Sequence, residues 1–434
     1  MQRRRRNAAV LIGLIAMATP LALTAPASAE TGCVSTPDRD GSPSGEIKVG
    51  TYNVAGDGGR ALARPWEGTG SRSFDVAVRV VKYNPDIVGF QEAPDPQADS
   101  SSNPLRASME CRGYKFAVGG AYVSPTTKGL AIYYNPNSWK KIAPAGVGTI
   151  PAKEVWSGLG SDRYQDRGAA RTFVYQTFES KLDGKKYTAV NVHLSAGVSS
   201  VYRLGSGAAV VPPSDVAVAI RMRSRSIQLK DVILNQLPSD AAPQIFLGDF
   251  NDYGYAASAS DCTAQATSTE SISAMDTTRS QTFCFMTQAG YKYRDNADPG
   301  ASATSYGLKT RVTSTVWRSG FRDWNANVVP ALPAASQAVA QDTQKFNSYW
   351  DDTANAQAYQ LQGRHLDHVY FPTSVTITDW REVLELSSGE YASGVIDGTQ
   401  RGYTMSGTTV TGLPNYSQRD SDHSFVWSTG TYAP

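Results

Sequence analysis

Five short apolar runs in this chain each stop at, or beside, a residue that can carry chemistry, and that habit limits what the chain can fold into. Asn53 lies in Ile47 to Val54 (IKVGTYNV), Glu92 ends Ile87 to Glu92 (IVGFQE), and His193 sits near the end of Tyr187 to Leu194 (YTAVNVHL). Asp249 and Asn251 follow Gln244 to Leu247, and Asp422 and His423 stand just before Ser424 to Trp427. Asp367 lies inside a further run, His365 to Phe371 (HLDHVYF). Short runs rich in β-branched and aromatic residues are expected strands. Strand ends meet at the rim of a sheet, so residues far apart in sequence can converge there. Singly, each signal is ordinary: a Glu after a strand is usually a solvated turn residue, and a lone His is usually structural. As a set they are not, because the chain has only four histidines and two belong to it.

The remaining pattern supplies the frame. Phe74 to Lys82 has helical apolar spacing with Ser73 as candidate N-cap, and Pro85-Asp86 ends it. Lys128 to Tyr134 and Arg171 to Phe178 are further strands, and Asp183-Gly184 marks a hairpin turn. A second helix is expected from about Ser214 to Gln236, carrying Arg221, Arg223, Arg225 and Lys230. Residues 255–280 read as a surface insertion, and 297–360 as a stretch with room for short strands. Strands interleaved with helices and hairpins predict two mixed sheets packed together with helices outside.

The first residues are read separately. Arg3 to Arg6, an apolar stretch from Ala8 to Leu23 and Ala27-Ser28-Ala29 have the order of a secretory signal peptide, residues 1–29. Residues 30–45 read as a polar tail and 46–434 as one domain. The full chain has 41 Lys+Arg against 39 Asp+Glu; without the four leader arginines the balance is slightly acidic. Such a chain does not hold nucleic acid by bulk charge, which leaves a local site as the means. Cys33, Cys111, Cys262 and Cys284 suggest two disulfides in an exported protein. Cys262 with Cys284 and Cys33 with Cys111 is the favoured one of three pairings, with free thiols as the other reading. No spacing among them matches a zinc site.

TYNV, GFQEA, NVHL, GDFND, LDHVYF and SDHSF, in this order, resemble the motifs of the endonuclease/exonuclease/phosphatase superfamily. GDFN and SDH are the specific pair. The resemblance implies a deoxyribonuclease-like four-layer α/β sandwich, two mixed sheets flanked by helices, and hydrolysis of a phosphoester with a divalent metal. By the same resemblance, Asn53 and Glu92 hold the metal, and Asp422 either assists there or caps the turn. Asp249 takes a proton from water or holds it in line, and Asn251 binds a phosphate oxygen or the metal. His423 bears on the phosphate or acts as base, oriented by Asp367. His193 donates to a non-bridging oxygen, and Arg171, with Arg167 an equal candidate, stands near the phosphate. Hard oxygen ligands suit Mg²⁺, Mn²⁺ and Ca²⁺ alike, and Mg²⁺ is the first expectation with the other two as alternatives. Alternation sets His365, Asp367 and Val369 on one strand face and Leu366, His368 and Tyr370 on the other, so His368 reads as structural. Phe425 stands where the family often has proline.

The first substrate expectation is nucleic acid, since GLAIYYNPNSW resembles nuclease members and export suits scavenging of phosphate. The alternative is phospholipid, with Val198 to Val211 and Trp156 as membrane-touching loops. A non-catalytic binding protein on the same scaffold is the reading of another class. A monomer with no stable protein partner is expected.

Overall fold

The computed structural model describes residues 40–54, 72–94, 98–121, 128–150, 171–194, 232–251, 281–292, 367–383, 423 and 425–433, with short pieces at 154–159, 162–165, 202–203, 209–210, 228–229, 351–352, 358–360, 404–406 and 409–411. Its main strands are β1 (Glu46–Asn53), β2 (Ile87–Pro94), β3 (Lys115–Ala121), β4 (Lys128–Tyr134), β5 (Trp139–Ile150) and β6 (Arg171–Ser180). They continue with β7 (Lys186–His193), β8 (Gln244–Asp249), β9 (Tyr291–Lys292), β10 (Asp367–Pro372), β11 (Thr376–Val383) and β12 (Phe425–Thr431). The helices are α1 (Arg72–Tyr83), α2 (Pro104–Cys111) and α3 (Gln281–Gln288).

These strands form two six-stranded sheets, ordered β11-β12-β1-β2-β4-β3 and β9-β10-β8-β7-β6-β5. Each is mixed: β1 pairs parallel with β2, and β7 with β8, while the other pairings are antiparallel. Strand alternation then builds the layers. Ile47 and Val49, Ile87, Tyr187 and Ala189, Ile245 and Leu247, and Val369 and Phe371 fill the space between the sheets. The opposite face of the first sheet, with Tyr52, Val88 and Phe90, packs on Val76 and Val80 of α1 and Leu105 and Met109 of α2. The opposite face of the second, with Val190, Val192, Phe246 and Tyr370, packs on Leu229, Val232 and Met286. Each Val, Leu, Ile, Phe or Met among them contributes about 1.5–3 kcal/mol of burial. The result is the four-layer α/β sandwich, helices outside two packed sheets.

Several local expectations are corrected. Ser73 is not an N-cap, because α1 already begins at Arg72 and Ser73 is buried within it. Arg72 Nη2 donates to Val54 O at 2.5 Å, tying the helix start to the end of β1. Residues 40–45 are held, not a loose tail: Asp86 accepts from Ser42 N and Lys48 N, and Asp183 accepts from Ser44 Oγ and Gly45 N. These anchors lie where β2 and β7 begin, at the far end from Glu92 and His193. The chain also has α2, capped by the Asn103 side chain accepting from Arg106 N at 2.9 Å. Of the helix expected over 214–236, residues 228–229 are helical and Val232–Gln236 form a π-helical turn, while Arg221, Arg223 and Arg225 lie outside the described residues. Residues 1–39, His365, all of 255–280 and most of 297–360 also lie outside them. Cys111 is disulfide-bonded; Cys33 and Cys262, which the expected pairing needs, lie outside the described residues.

Candidate active site

The inner faces of the sheets change character along their length. The alternation that buries Ile47 and Val49 next delivers Thr51 and Asn53, and Tyr187 and Ala189 are followed by Asn191 and His193. Ile245 and Leu247 are followed by Asp249. One end of the inter-sheet space is therefore apolar and the other carries the polar set. In the second sheet the register sets three of these side by side, with Asp249 opposite His193 on β7 and opposite Asp367 on β10.

Gly248 lets Asp249 take this place. Its φ is +152°, and a Cβ there would lie 2.0 Å from Val192 O, so only glycine fits against β7. Past the strand, Asn251 turns with φ +50°, a conformation that Asn tolerates. Its N–H donates to Asp249 Oδ1 at 2.8 Å, and its Nδ2 donates to Leu194 O at 2.9 Å. The GDFN turn thus fixes one oxygen of Asp249 and ties itself to β7.

The other oxygen faces the cluster. Asp249 Oδ2 accepts from Asn53 Nδ2 at 3.0 Å and lies 3.4 Å from His193 Nε2 and 3.8 Å from His423 Nε2. Asn53 Nδ2 also reaches Glu92 Oε1 at 3.4 Å, so this amide joins the two carboxylates and the two sheets. His423 Nδ1–H donates to Asp367 Oδ2 at 2.8 Å, which fixes the ring and leaves Nε2 toward Asp249. Asp249 is 1% exposed and Asp367 0%. Burial first and the Asp367 charge second push the Asp249 carboxyl well above its ordinary value, while His423, Asn53 and the Asn251 N–H pull it down.

The structure thus brings together Asn53, Glu92, His193, Asp249, Asn251, Asp367 and His423. Arg171 opens β6 at the same end of the second sheet as His193. Its ladder partner Ile150 packs in the outer core, so alternation sets Arg171 at the outer rim and not within the Asp249 cluster. Asp422 and Arg167 lie outside the described residues. His368 is on the face opposite Asp367, packed at 5.7 Å from Phe250 and 5.5 Å from Tyr370. Phe425, in the place of the family's proline, fills the core beneath α1. Sequence reasoning passed over Gln91 and Asn191, both fully buried amides. Their signal was an amide inside an otherwise apolar strand, which demands internal partners.

The donor set fits a divalent cation. Asp249, Asp367 and His423 each offer a ligand atom within 4.8 Å of the others, and all are buried. Two carboxylates held together out of water repel each other, as the raised Asp249 shows, and a cation offsets that cost. Glu92, reached through the Asn53 amide, adds a third carboxylate beside them, a hard oxygen donor of the kind such ions take.

Two packed mixed sheets with carboxylates, amides and paired imidazoles at their rim define a metal-assisted hydrolase acting on phosphoric esters. The Endonuclease/Exonuclease/phosphatase family model matches residues 50–423, and the chain belongs to that family. No curated protein matches it. Similar solved structures include an endonuclease/exonuclease/phosphatase family protein from Bacteroides thetaiotaomicron, 14% identical, with TM-score 0.45 over 90% of this chain and 98% of that one. A mannosyl-6-phosphatase of the same organism is 14% identical, with TM-score 0.43 over 89% and 100%. D. rerio TDP2 complexed with single strand DNA product is 14% identical, with TM-score 0.42 over 89% and 98%.

Proposed function

We propose that this chain is an exported nuclease, hydrolysing phosphodiester bonds of DNA or RNA by in-line attack of water activated at Asp249. The observation that carries this reading is the composition of the cluster. Among the described residues the cluster is Asn53, Glu92, His193, Asp249, Asp367 and His423, which contribute three carboxylates and no Lys or Arg. A monoester dianion asks for more positive charge than such a set offers, whereas a diester carries one negative charge, which a cation and neutral donors can match.

Asn53 and Glu92 would hold the cation, with Mg²⁺ the first candidate. When bound, such an ion would supply positive charge to the phosphate oxygens and the leaving oxygen. Asp249 holds the water in line and takes its proton, since its carboxylate lies between two imidazoles and one of its oxygens is fixed by Asn251. His193 donates to a non-bridging oxygen as its charge grows. His423, oriented by Asp367, bears on the same phosphate. Arg171 at the rim suits a contact with the nucleic-acid backbone rather than with the reacting atoms.

The test is a side-by-side assay of purified protein on plasmid DNA, total RNA, sphingomyelin vesicles and a phosphate monoester, with and without chelator. Cleavage of nucleic acid that chelator abolishes is the expected result. Phosphocholine release or monoester turnover with intact nucleic acid would overturn the nuclease reading. Export rests on the leader-like residues 1–29; N-terminal sequencing of secreted protein should begin at Glu30.

A further inference from the structure

We infer that Asn191 is a positioning residue that holds Glu92 in place from the opposite sheet. The β2–β4 ladder runs from Ile87 opposite Tyr134 to Phe90 opposite Ala131, and resumes only at Ala93 opposite Gly129. Gln91 and Glu92 therefore share the space of one residue, a β-bulge. Glu92 has φ +54°, a strained conformation for a residue with a side chain. In an unbroken strand, alternation would set Glu92 on the outer face with Val88 and Phe90. The bulge is what brings its carboxylate to Asn53.

A bulge interrupts the ladder and leaves backbone groups to be satisfied elsewhere. Asn191 supplies the donor: its Nδ2 gives hydrogen bonds to Phe90 O at 2.9 Å and Ala131 O at 3.0 Å, the last paired residues before the break. Its Oδ1 accepts from Gln91 Nε2 at 2.7 Å, and Gln91 in turn meets Thr51 Oγ1 at 3.0 Å. Asn191, Gln91 and Thr51 are all fully buried. Gly89 leaves the room for this crossing, since a Cβ there would come within 2.9 Å of Asn191 Cγ and 2.0 Å of Leu247 Cδ1. Thr51 stands two residues before Asn53, Gln91 one before Glu92, and Asn191 two before His193. One buried network thus spans the three strands that deliver the metal side and the phosphate side of the site.

This inference rests on the proposed metal role of Asn53 and Glu92, and its test separates the two. Mn²⁺ alone is titrated by calorimetry into wild type, Asn191→Leu and Asn191→Ser, with bis(4-nitrophenyl) phosphate turnover and melting measured on the same samples. Asn191→Leu keeps the branched heavy-atom outline and removes the amide; Asn191→Ser can donate to one carbonyl only. Mn²⁺ affinity should fall about 10- to 100-fold in Asn191→Leu, as for lost support of a metal ligand. Asn191→Ser should fall between it and wild type, and excess Mn²⁺ should restore most of the lost kcat. Folded variants that bind Mn²⁺ like wild type would overturn the inference while the site stands. Failure of both variants to fold would also overturn it, making Asn191 a residue of the fold. A wild-type protein that binds no Mn²⁺ would overturn the reading of the site itself.

Discussion

Replacing Asp367 by Asn tests how the cluster is held with almost no change of volume. In the native chain His423 Nδ1 donates to Asp367 Oδ2 across 2.8 Å, and both side chains are buried. A hydrogen bond to a charged partner is worth about 1.5–3 kcal/mol. At about 1.36 kcal/mol per tenfold in rate, its loss predicts a fall in kcat/KM of roughly 10- to 150-fold. An asparagine either accepts without the charge or turns its nitrogen to His423, forcing the proton onto the ring nitrogen that faces Asp249. The second consequence has a sign. After burial, the Asp367 charge is the largest cause of the raised Asp249 carboxyl. Removing that charge lowers it, so the acid limb of the kcat/KM profile should move to lower pH while the plateau falls. Steady-state hydrolysis of bis(4-nitrophenyl) phosphate at saturating Mg²⁺, from acid to neutral pH, reads both effects. An unchanged plateau, or an acid limb that moves to higher pH, would refute the reasoning.

Gly248→Ala should destabilise the fold by about 1–3 kcal/mol or more, because the added Cβ meets the Val192 backbone at 2.0 Å; unchanged thermal melting would show that β7 and β8 can part. In metal-free protein the Asp249 carboxyl should favour the folded state on acidification. The Asp249 carboxyl is raised in the folded state, so its contribution is fully present below the ordinary carboxylate value and lost as pH rises through the raised one. Melting of wild type and Asp249→Asn across that range checks this, and an Asp249→Asn variant with the same pH slope would contradict it.

How much was legible follows from which forces are local. The strands of the polar set could be read because alternation and β-branched content are properties of neighbouring residues, as in YTAVNVHL. The edge strand β5 could not: WKKIAPAGVGTI holds Pro, Gly and Lys, which an edge tolerates and a central strand does not. The position of Asp249 between His193 and Asp367 is set by register between strands far apart in sequence. Motif order implied that they meet, but no local pattern gives their distances. Glu92 shows the limit most clearly, since alternation alone sends it to the outer face and only the bulge, supported from another sheet, returns it. Arg171 shows the converse: its motif resembles a phosphate contact, yet its ladder partner lies on the outer core.

The most direct test of the account is the rate at which Asp249→Asn cleaves plasmid DNA in saturating Mg²⁺, relative to wild type. The isosteric amide keeps the shape of the turn and removes the base, so the account predicts a loss of about 10² or more. A rate within a few-fold of wild type would contradict it and place the chemistry elsewhere.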